Sequence, residues 1–136
     1  MIDIESQVFT TVASALRDEY GADKIYVAGE YVSQPPRFPA VLIAEMDNYV
    51  HLRGRDTQTI ENYANVMYQV DVFSNKNTGK KVQAKEIIAL VDDQFAQMGF
   101  TRTYLNPVPN MNDATIYRMT ARYQAVVGKD QTIYRR

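Results

Sequence analysis

The single histidine is the first residue to weigh as a catalytic or metal-binding group. His51 lies in a polar segment, and with no second histidine and no cysteine the chain cannot build a Ser-His-Asp triad, a two-histidine metal site or a thiolate site. The neighbouring carboxylates of Asp92 and Asp93 point about 100° apart on a helix and do not converge. We therefore expect an exposed loop histidine, a solvated helix face, no enzymatic activity and no cofactor.

A group of lysines lies near the middle of the chain. Thr78-Gly79-Lys80-Lys81 partly matches the end of a phosphate-binding loop, but that motif needs glycine at position 74, where Ser74 stands, and Ser or Thr at position 81. The lysines themselves lie where a helix is predicted to begin, although the helix dipole disfavours positive charge there. They are either tolerated surface charge or a docking site for an acidic neighbouring subunit. The group comprises Lys76, Lys80, Lys81 and Lys85.

Tyrosine and arginine supply the other candidate contact residues. The chain has ten tyrosines and no tryptophan, and those on predicted strands, such as Tyr68 and Tyr123, are expected in core and sheet packing. Tyrosines near irregular segments, Tyr49 among them, are candidate interface anchors. Arg118 and Arg122 form an outward row on a predicted strand, which is either a solvated face or the lining of a channel.

Length and charge limit the class of protein. The 136 residues fit one domain, 1–136, and the formal net charge of -1 argues against nucleic acid as the main ligand, because phosphate-gripping domains carry a basic excess. Residues 1–47 hold eight acidic and three basic groups, whereas residues 48–136 hold eight and twelve. These opposite charges either intermix on the surface or pair between copies in a head-to-tail ring. No leader peptide or membrane span is apparent, so we expect a soluble, non-secreted chain that binds no membrane.

Periodicity in the first half predicts a helix followed by two strands. Apolar residues recur every four positions over 3–20, with Asp3 as a candidate cap and Gly21 as the stop. Residues 25–28 form a short strand candidate, and the prolines of 34–39 exclude a helix or central strand there. The apolar run 40–46 predicts a buried strand.

The rest of the chain predicts a polar loop, two alternating strands and a second helix. Residues 47–62 are polar and aperiodic, which predicts a long loop or the projecting tip of a hairpin. Strict alternation over 63–73 and 115–127 predicts two half-buried strands that pair with each other. Between them, 82–98 has helical spacing and ends at Gly99, and the short segment 102–105 is interrupted by Asn106-Pro107 and Pro109. The order favours an α+β fold, with a mostly antiparallel sheet of four to five strands and two main helices packed on one face.

Several segments taken in order resemble the tail-terminator or tail-completion proteins of tailed phages, a group that includes minor-capsid and head-tail joining proteins. They are the amphipathic N-terminal helix, Gln34-Pro35-Pro36-Arg37-Phe38-Pro39-Ala40-Val41, Tyr68-Gln69-Val70-Asp71-Val72-Phe73-Ser74, Met98-Gly99-Phe100-Thr101-Arg102 and Tyr117-Arg118-Met119-Thr120-Ala121-Arg122-Tyr123. The resemblance spans nearly the whole chain and depends on the order and spacing of these segments.

This resemblance implies a structural virion protein rather than an enzyme. The expected assembly is a ring, usually of six copies, that binds the tail-tube protein, ends tube polymerisation and meets the head or neck connector, while the genome passes through without sequence-specific binding. The chain would be assembled in the host cytoplasm and reside in the virion at the head-tail interface. By analogy the 47–62 segment would contact a neighbour or the tube, with His51, Arg53, Arg55 and Asp56 near its tip.

Two alternatives remain beside the tail terminator. One is a head-side connector or neck protein of the same particle, which we would expect to be mainly helical or a small β-barrel. The other is an enzyme or small-ligand module, which would need a polar pocket that the sequence does not indicate.

Overall fold

A computed structural model describes residues 2–30, 35–50, 63–109 and 115–134, with the side chains of 49, 50 and 134 excepted. These residues form an α+β fold, as predicted. None of the helices there is both long and apolar enough to cross a bilayer. In chain order the elements are α1 (Glu5–Tyr20), β1 (Tyr26–Ala28), β2 (Ala40–Val50), β3 (Tyr63–Ser74), α2 (Lys80–Met98), β4 (Thr101–Val108), β5 (Tyr117–Gly128) and β6 (Ile133–Tyr134).

The strands form one sheet in the order β1-β2-β3-β5-β4, with the short β6 also paired to β5. Only the β1–β2 pair is parallel among the described strands. The two central strands, β3 and β5, pair antiparallel from Tyr63 opposite Gly128 to Ser74 opposite Tyr117. This confirms the predicted pairing of the two alternating segments, because each has one apolar face to bury against the same layer.

Both helices pack on one face of the sheet, as predicted. The main core joins the buried side of α1, through residues such as Val12 and Leu16, to the buried side of α2 and to alternate residues of β2, β3 and β5. Its centre is aromatic: the Phe95 ring stacks on Tyr123 at 4.2 Å between centroids and meets the Phe100 ring edge-on at 5.2 Å. Burial of such rings is a large part of the free energy that holds helices on a sheet.

Gly99 ends α2 in the predicted manner. It has φ 100° and ψ 10°, a left-handed conformation that glycine adopts without the steric cost of a Cβ. The N–H of Phe100 donates to the carbonyl of Phe95 at 2.9 Å, and the buried Phe100 ring returns to the last turn. At the other helix, Asp3 is not the cap residue itself. Helix α1 begins at Glu5, whose N–H donates to the Asp3 carboxylate at 3.0 Å.

Three predicted boundaries differ from the structure. Strand β4 continues through Pro107, so the predicted interruption at Asn106-Pro107 is wrong. Among the described strands β4 pairs only with β5, and an edge strand tolerates a residue without N–H on its unpaired side. Helix α2 begins at Lys80, two residues before its predicted start at residue 82. Residues 47–50 of the predicted loop belong to β2, which pairs with β3 as far as Val50 opposite Ala64, and residues 51–62 lie outside the described part of the chain.

Candidate interaction face

The sheet face opposite the helices carries the most organised group of polar side chains. One end of it is apolar, where Leu42 and Phe73 are buried beneath Phe38 and Ile116. Beyond this patch, the alternation of β3 and β5 places polar side chains outward, and Asp71 and Thr120 are buried there, on the side away from α1 and α2.

Asp71 is the centre of this group. Its side chain is 6% exposed, and its Oδ1 accepts hydrogen bonds from Nε and Nη2 of Arg118 at 3.1 and 3.0 Å and from the hydroxyl of Thr120. The amide of Gln69 donates to Oδ2 at 3.1 Å. Because a buried carboxylate needs its hydrogen bonds satisfied, these donors compensate for the water that Asp71 loses on folding.

Arg122 extends the same network toward solvent. Its Nε donates to Oε1 of Gln69 at 3.0 Å, which orients the Gln69 amide toward Asp71. The Arg122 guanidinium lies 5.0 Å from the ring centroid of Tyr104, and that of Arg118 lies 5.5 Å from the Phe73 ring. Such contacts hold cations in fixed positions on aromatic faces. The face therefore presents two ordered guanidinium groups, of which Arg122 is exposed.

The two core tyrosines direct their hydroxyl groups to carboxylates at the margins of the helix face. Tyr68 donates to Glu45 at 3.2 Å, and Tyr123 donates to Asp92 at 3.1 Å. Burial, and then the adjacent carboxylate charge, raises the pKa of both phenols far above its ordinary value. Asp92 also pairs with Arg102 at 3.1 Å. Asp92 lies on a partly solvated helix face, with 33% of its side chain exposed, and its carboxylate also has partners on β4 and β5; Asp93 beside it is exposed.

Glu45 lies in a small acidic cluster. Carboxylate oxygens of Asp3, Glu5 and Glu45 lie within 4.8 Å of one another, and Glu45 also accepts from the side-chain amide of Asn48 at 3.3 Å. Burial raises the pKa of Glu45, and the charges of Glu5 and Asp3 raise it further, while the hydrogen bonds from Tyr68 and Asn48 lower it. The trio could give oxygens to a cation, but Ca²⁺ takes about six to eight ligands, so these residues alone do not define a metal site.

A groove of about 280 Å³ separates α2 from β4. Its apolar floor includes Ile88, Leu105 and Met119, and its rim carries Lys85, Asp93 and the Asp92–Arg102 pair. The Asp92 carboxylate on this rim already accepts hydrogen bonds from Arg102 and from the Tyr123 hydroxyl. The apolar floor suits contact with an apolar group.

The predicted contact residues have different outcomes. Arg118 and Arg122 lie on one face and are linked through Asp71 and Gln69. Lys80 donates from Nζ to the carbonyl of Thr115 at 3.1 Å, while Lys81 is exposed nearby. Backbone pairing places Tyr49 in β2, opposite Asn65. His51, Arg53, Arg55 and Asp56 lie outside the described residues, so their predicted place at a loop tip stays a prediction.

Sequence reasoning missed Asp71, Gln69 and Thr120 as members of the site. The available signal was one acidic residue on the outward side of 63–73, together with an outward Arg-x-Thr-x-Arg pattern at 118–122. Only the register, with Asp71 opposite Thr120, brings these groups within hydrogen-bonding distance.

Comparison with known proteins adds no relative: no protein-family model matches this chain, and no curated protein does either.

Proposed function

We propose that this chain is a structural subunit of a phage tail, which forms a ring on the end of the tail tube, ends its polymerisation and joins it to the head or neck. The observation that carries the proposal is the sheet face opposite α1 and α2, where Asp71 holds Arg118 and orders the row that ends at the exposed Arg122. Charged side chains held in fixed positions on a sheet face suit recognition of another protein, because they lose little conformational entropy on binding.

Assembly requires surfaces other than the one that meets the tube. In a ring of identical subunits, each subunit contacts its two neighbours through two different surfaces. Such head-to-tail contacts close into a ring when a whole number of the rotations between successive copies makes a full turn. The unequal charges of residues 1–47 and 48–136 support such directional pairing. The β2–β3 hairpin adds support, because both strands lead into 51–62, the segment expected to contact a neighbour or the tube.

The passage of the genome gives Arg118 and Arg122 a second proposed role. If the sheet face opposite α1 and α2 lines the channel, guanidinium groups there would contact phosphates without reading sequence. Such contacts weaken steeply with salt, so transient binding of DNA by the assembled ring should disappear at high ionic strength while the ring persists.

The test combines mass measurement with partner binding. Size-exclusion chromatography with light scattering gives the mass of the free chain, and a pull-down measures binding to tail-tube protein. Deletion of residues 50–58 should reduce both ring formation and tail joining. Arg122→Gln should weaken tube or DNA contact while leaving the fold intact, and Lys129→Gln, an exposed turn residue, serves as its control.

The alternatives have their own outcomes in the same experiment. Binding to the head-side connector in place of tube protein would identify a neck protein. A monomer that binds a metabolite in the α2–β4 groove, and neither virion partner, would contradict the structural role.

A further inference from the structure

Two exposed apolar side chains mark separate surfaces of the molecule. Met46 is 54% exposed and Val82 is 59% exposed, the highest values among the large hydrophobic residues of the described chain. Met46 lies where the β2–β3 register shifts between Glu45 and Asp47, a bulge that turns its side chain out of the sheet alternation. Val82 lies on the outer side of the first turns of α2, while Ala84 and Ile87 face the core.

The surroundings of Met46 are negative. Glu45 and Asp47 flank it in sequence, and the Glu45 carboxylate is close to those of Asp3 and Glu5. The ion pairs of the described chain are Arg102–Asp92 and Arg118–Asp71, so none of them neutralises this surface. Among the described strands, β1 pairs with β2 only at residues 40–42, so none of them lies along this edge of β2 at Met46.

The surroundings of Val82 are positive. Lys81 and Lys85 are exposed beside it on α2, Lys80 and Lys76 lie at and before the helix start, and the first turn contains no acidic residue. The positive end of the helix dipole adds to this charge. Glu86, four residues after Val82, is the nearest acidic residue in sequence and is also exposed, so Lys76, Lys80, Lys81 and Lys85 outnumber a single carboxylate around this surface.

The two surfaces cannot meet within one chain. The hydroxyl of Ser74 is hydrogen-bonded to Gln83, which ties the start of α2 to the last residue of β3. Glu45 lies opposite Tyr68, six positions earlier on β3. At about 3.3 Å per residue, six residues of strand place the surfaces roughly 20 Å apart. The Met46 surface and the Val82 surface, each with an exposed apolar residue and of opposite charge, can therefore meet only between two copies.

We propose that the Met46 surface of one copy docks on the Val82 surface of the next. This inference rests on the proposed function and specifies the contact that would build its ring. Met46 and Val82 supply apolar area that is lost to water on contact, and the lysines offset both the acidic cluster and their own conflict with the helix dipole. Because the two surfaces differ, the contact is directional and generates a ring or a filament rather than a two-fold dimer.

Charge exchange provides the test. One variant combines Lys81→Glu with Lys85→Glu, and the other combines Glu5→Lys with Asp47→Lys; all four residues are exposed. At low salt, light scattering should show wild-type assemblies whose mass is a multiple of 15.6 kDa. Each variant alone should assemble at least about tenfold more weakly, because like charges then face each other. An equimolar mixture, or one chain carrying all four substitutions, should recover assembly.

The control changes the same number of charges elsewhere, through Lys24→Glu with Lys129→Glu, and should leave assembly unchanged. Circular dichroism of every variant checks that the fold is retained. A wild-type chain that is monomeric at low salt overturns the inference, and so does an assembly that the exchanges do not alter. If the charge exchanges do not alter assembly, the ring forms through a different contact and the proposed ring itself is not contradicted. An assembly that follows the predicted pattern but does not bind tail-tube protein supports the contact and contradicts the tail role.

Discussion

Two arginine–aspartate ion pairs of nearly equal length differ greatly in burial. Arg118 and Asp71 are 3.0 Å apart, with side chains 19% and 6% exposed, whereas Arg102 and Asp92 are 3.1 Å apart, with side chains 47% and 33% exposed. Replacement of each arginine by methionine keeps most of the apolar stem and removes the charge. We expect the two replacements to have very different effects on the free energy of unfolding.

The expected magnitude follows from what each aspartate retains. In Arg118→Met, Asp71 keeps only Thr120 and Gln69 as described donors and remains a buried charge, and removal of one partner of a buried pair costs about 3–5 kcal/mol. Because Arg118 is partly exposed and water can replace some of its bonds, the lower end, about 3 kcal/mol, is expected. In Arg102→Met, the exposed pair is screened by solvent and its loss costs about 0–1 kcal/mol.

Urea unfolding of wild type and both variants at neutral pH measures the difference in the free energy of unfolding, and thermal unfolding measures the corresponding change in Tm. For a chain of this length, 3 kcal/mol corresponds to a fall in Tm of roughly 10 °C, against a few degrees or less for Arg102→Met. The double variant Asp71→Asn with Arg118→Met should lose less than the sum of the single losses, since the pair is coupled. Equal losses for the two methionine variants, within about 0.5 kcal/mol, would refute the argument that burial decides their value.

Three further predictions concern pH and the helix end. Folding raises the pKa values of Tyr68 and Tyr123, so the stability that these phenols contribute is complete below the ordinary tyrosine pKa of about 10 and falls as pH rises above it. Tyr68→Phe should make Tm fall less steeply with pH in this alkaline range, as measured by thermal melts. An unchanged slope of Tm against pH would contradict this expectation. Burial, with the charges of Glu5 and Asp3, raises the pKa of Glu45, so its ionised form opposes folding above the ordinary glutamate value. Glu45→Gln should therefore raise Tm at pH 7 more than at pH 4, and equal shifts at the two pH values would contradict the raised pKa. Gly79→Ala, where no neighbouring atom lies within 4 Å of the new Cβ, should lower the free energy of unfolding by roughly 1–2 kcal/mol through left-handed strain alone. Gly99→Ala should lower it more, because the new Cβ also lies 3.2 Å from Cγ2 of Ile133 at a positive φ. Equal losses for the two variants in urea unfolding would show that the Ile133 contact is unimportant.

The layout of the fold was predictable because its elements obey simple periods. The two-residue alternation of 63–73 and 115–127 identified the central strands, and the spacing of 82–98 with Gly99 behind it identified α2 and its end. The boundary at Pro107 was not predictable from local propensity, because proline is acceptable only at an open sheet edge, and which strand lies at the edge is a property of the whole topology.

The candidate site was predictable only in part, for a similar reason. The outward direction of Arg118 and Arg122 followed from alternation within β5. Asp71, the partner of Arg118, lies 47 positions before it, and this contact depends on the register between two strands. The approach of Asp3 to Glu45 likewise requires the start of α1 to lie beside a bulge in β2, and no spacing within either segment encodes that contact.

Electron microscopy of tails assembled with and without this chain tests most directly the proposal that it closes the end of the tail tube. With the chain present, tubes should stop at a uniform length and carry an added ring at the end that meets the head. Without it, tubes should continue to polymerise and fail to join heads. Tubes of the same length and the same joining efficiency in both preparations would contradict the proposed function.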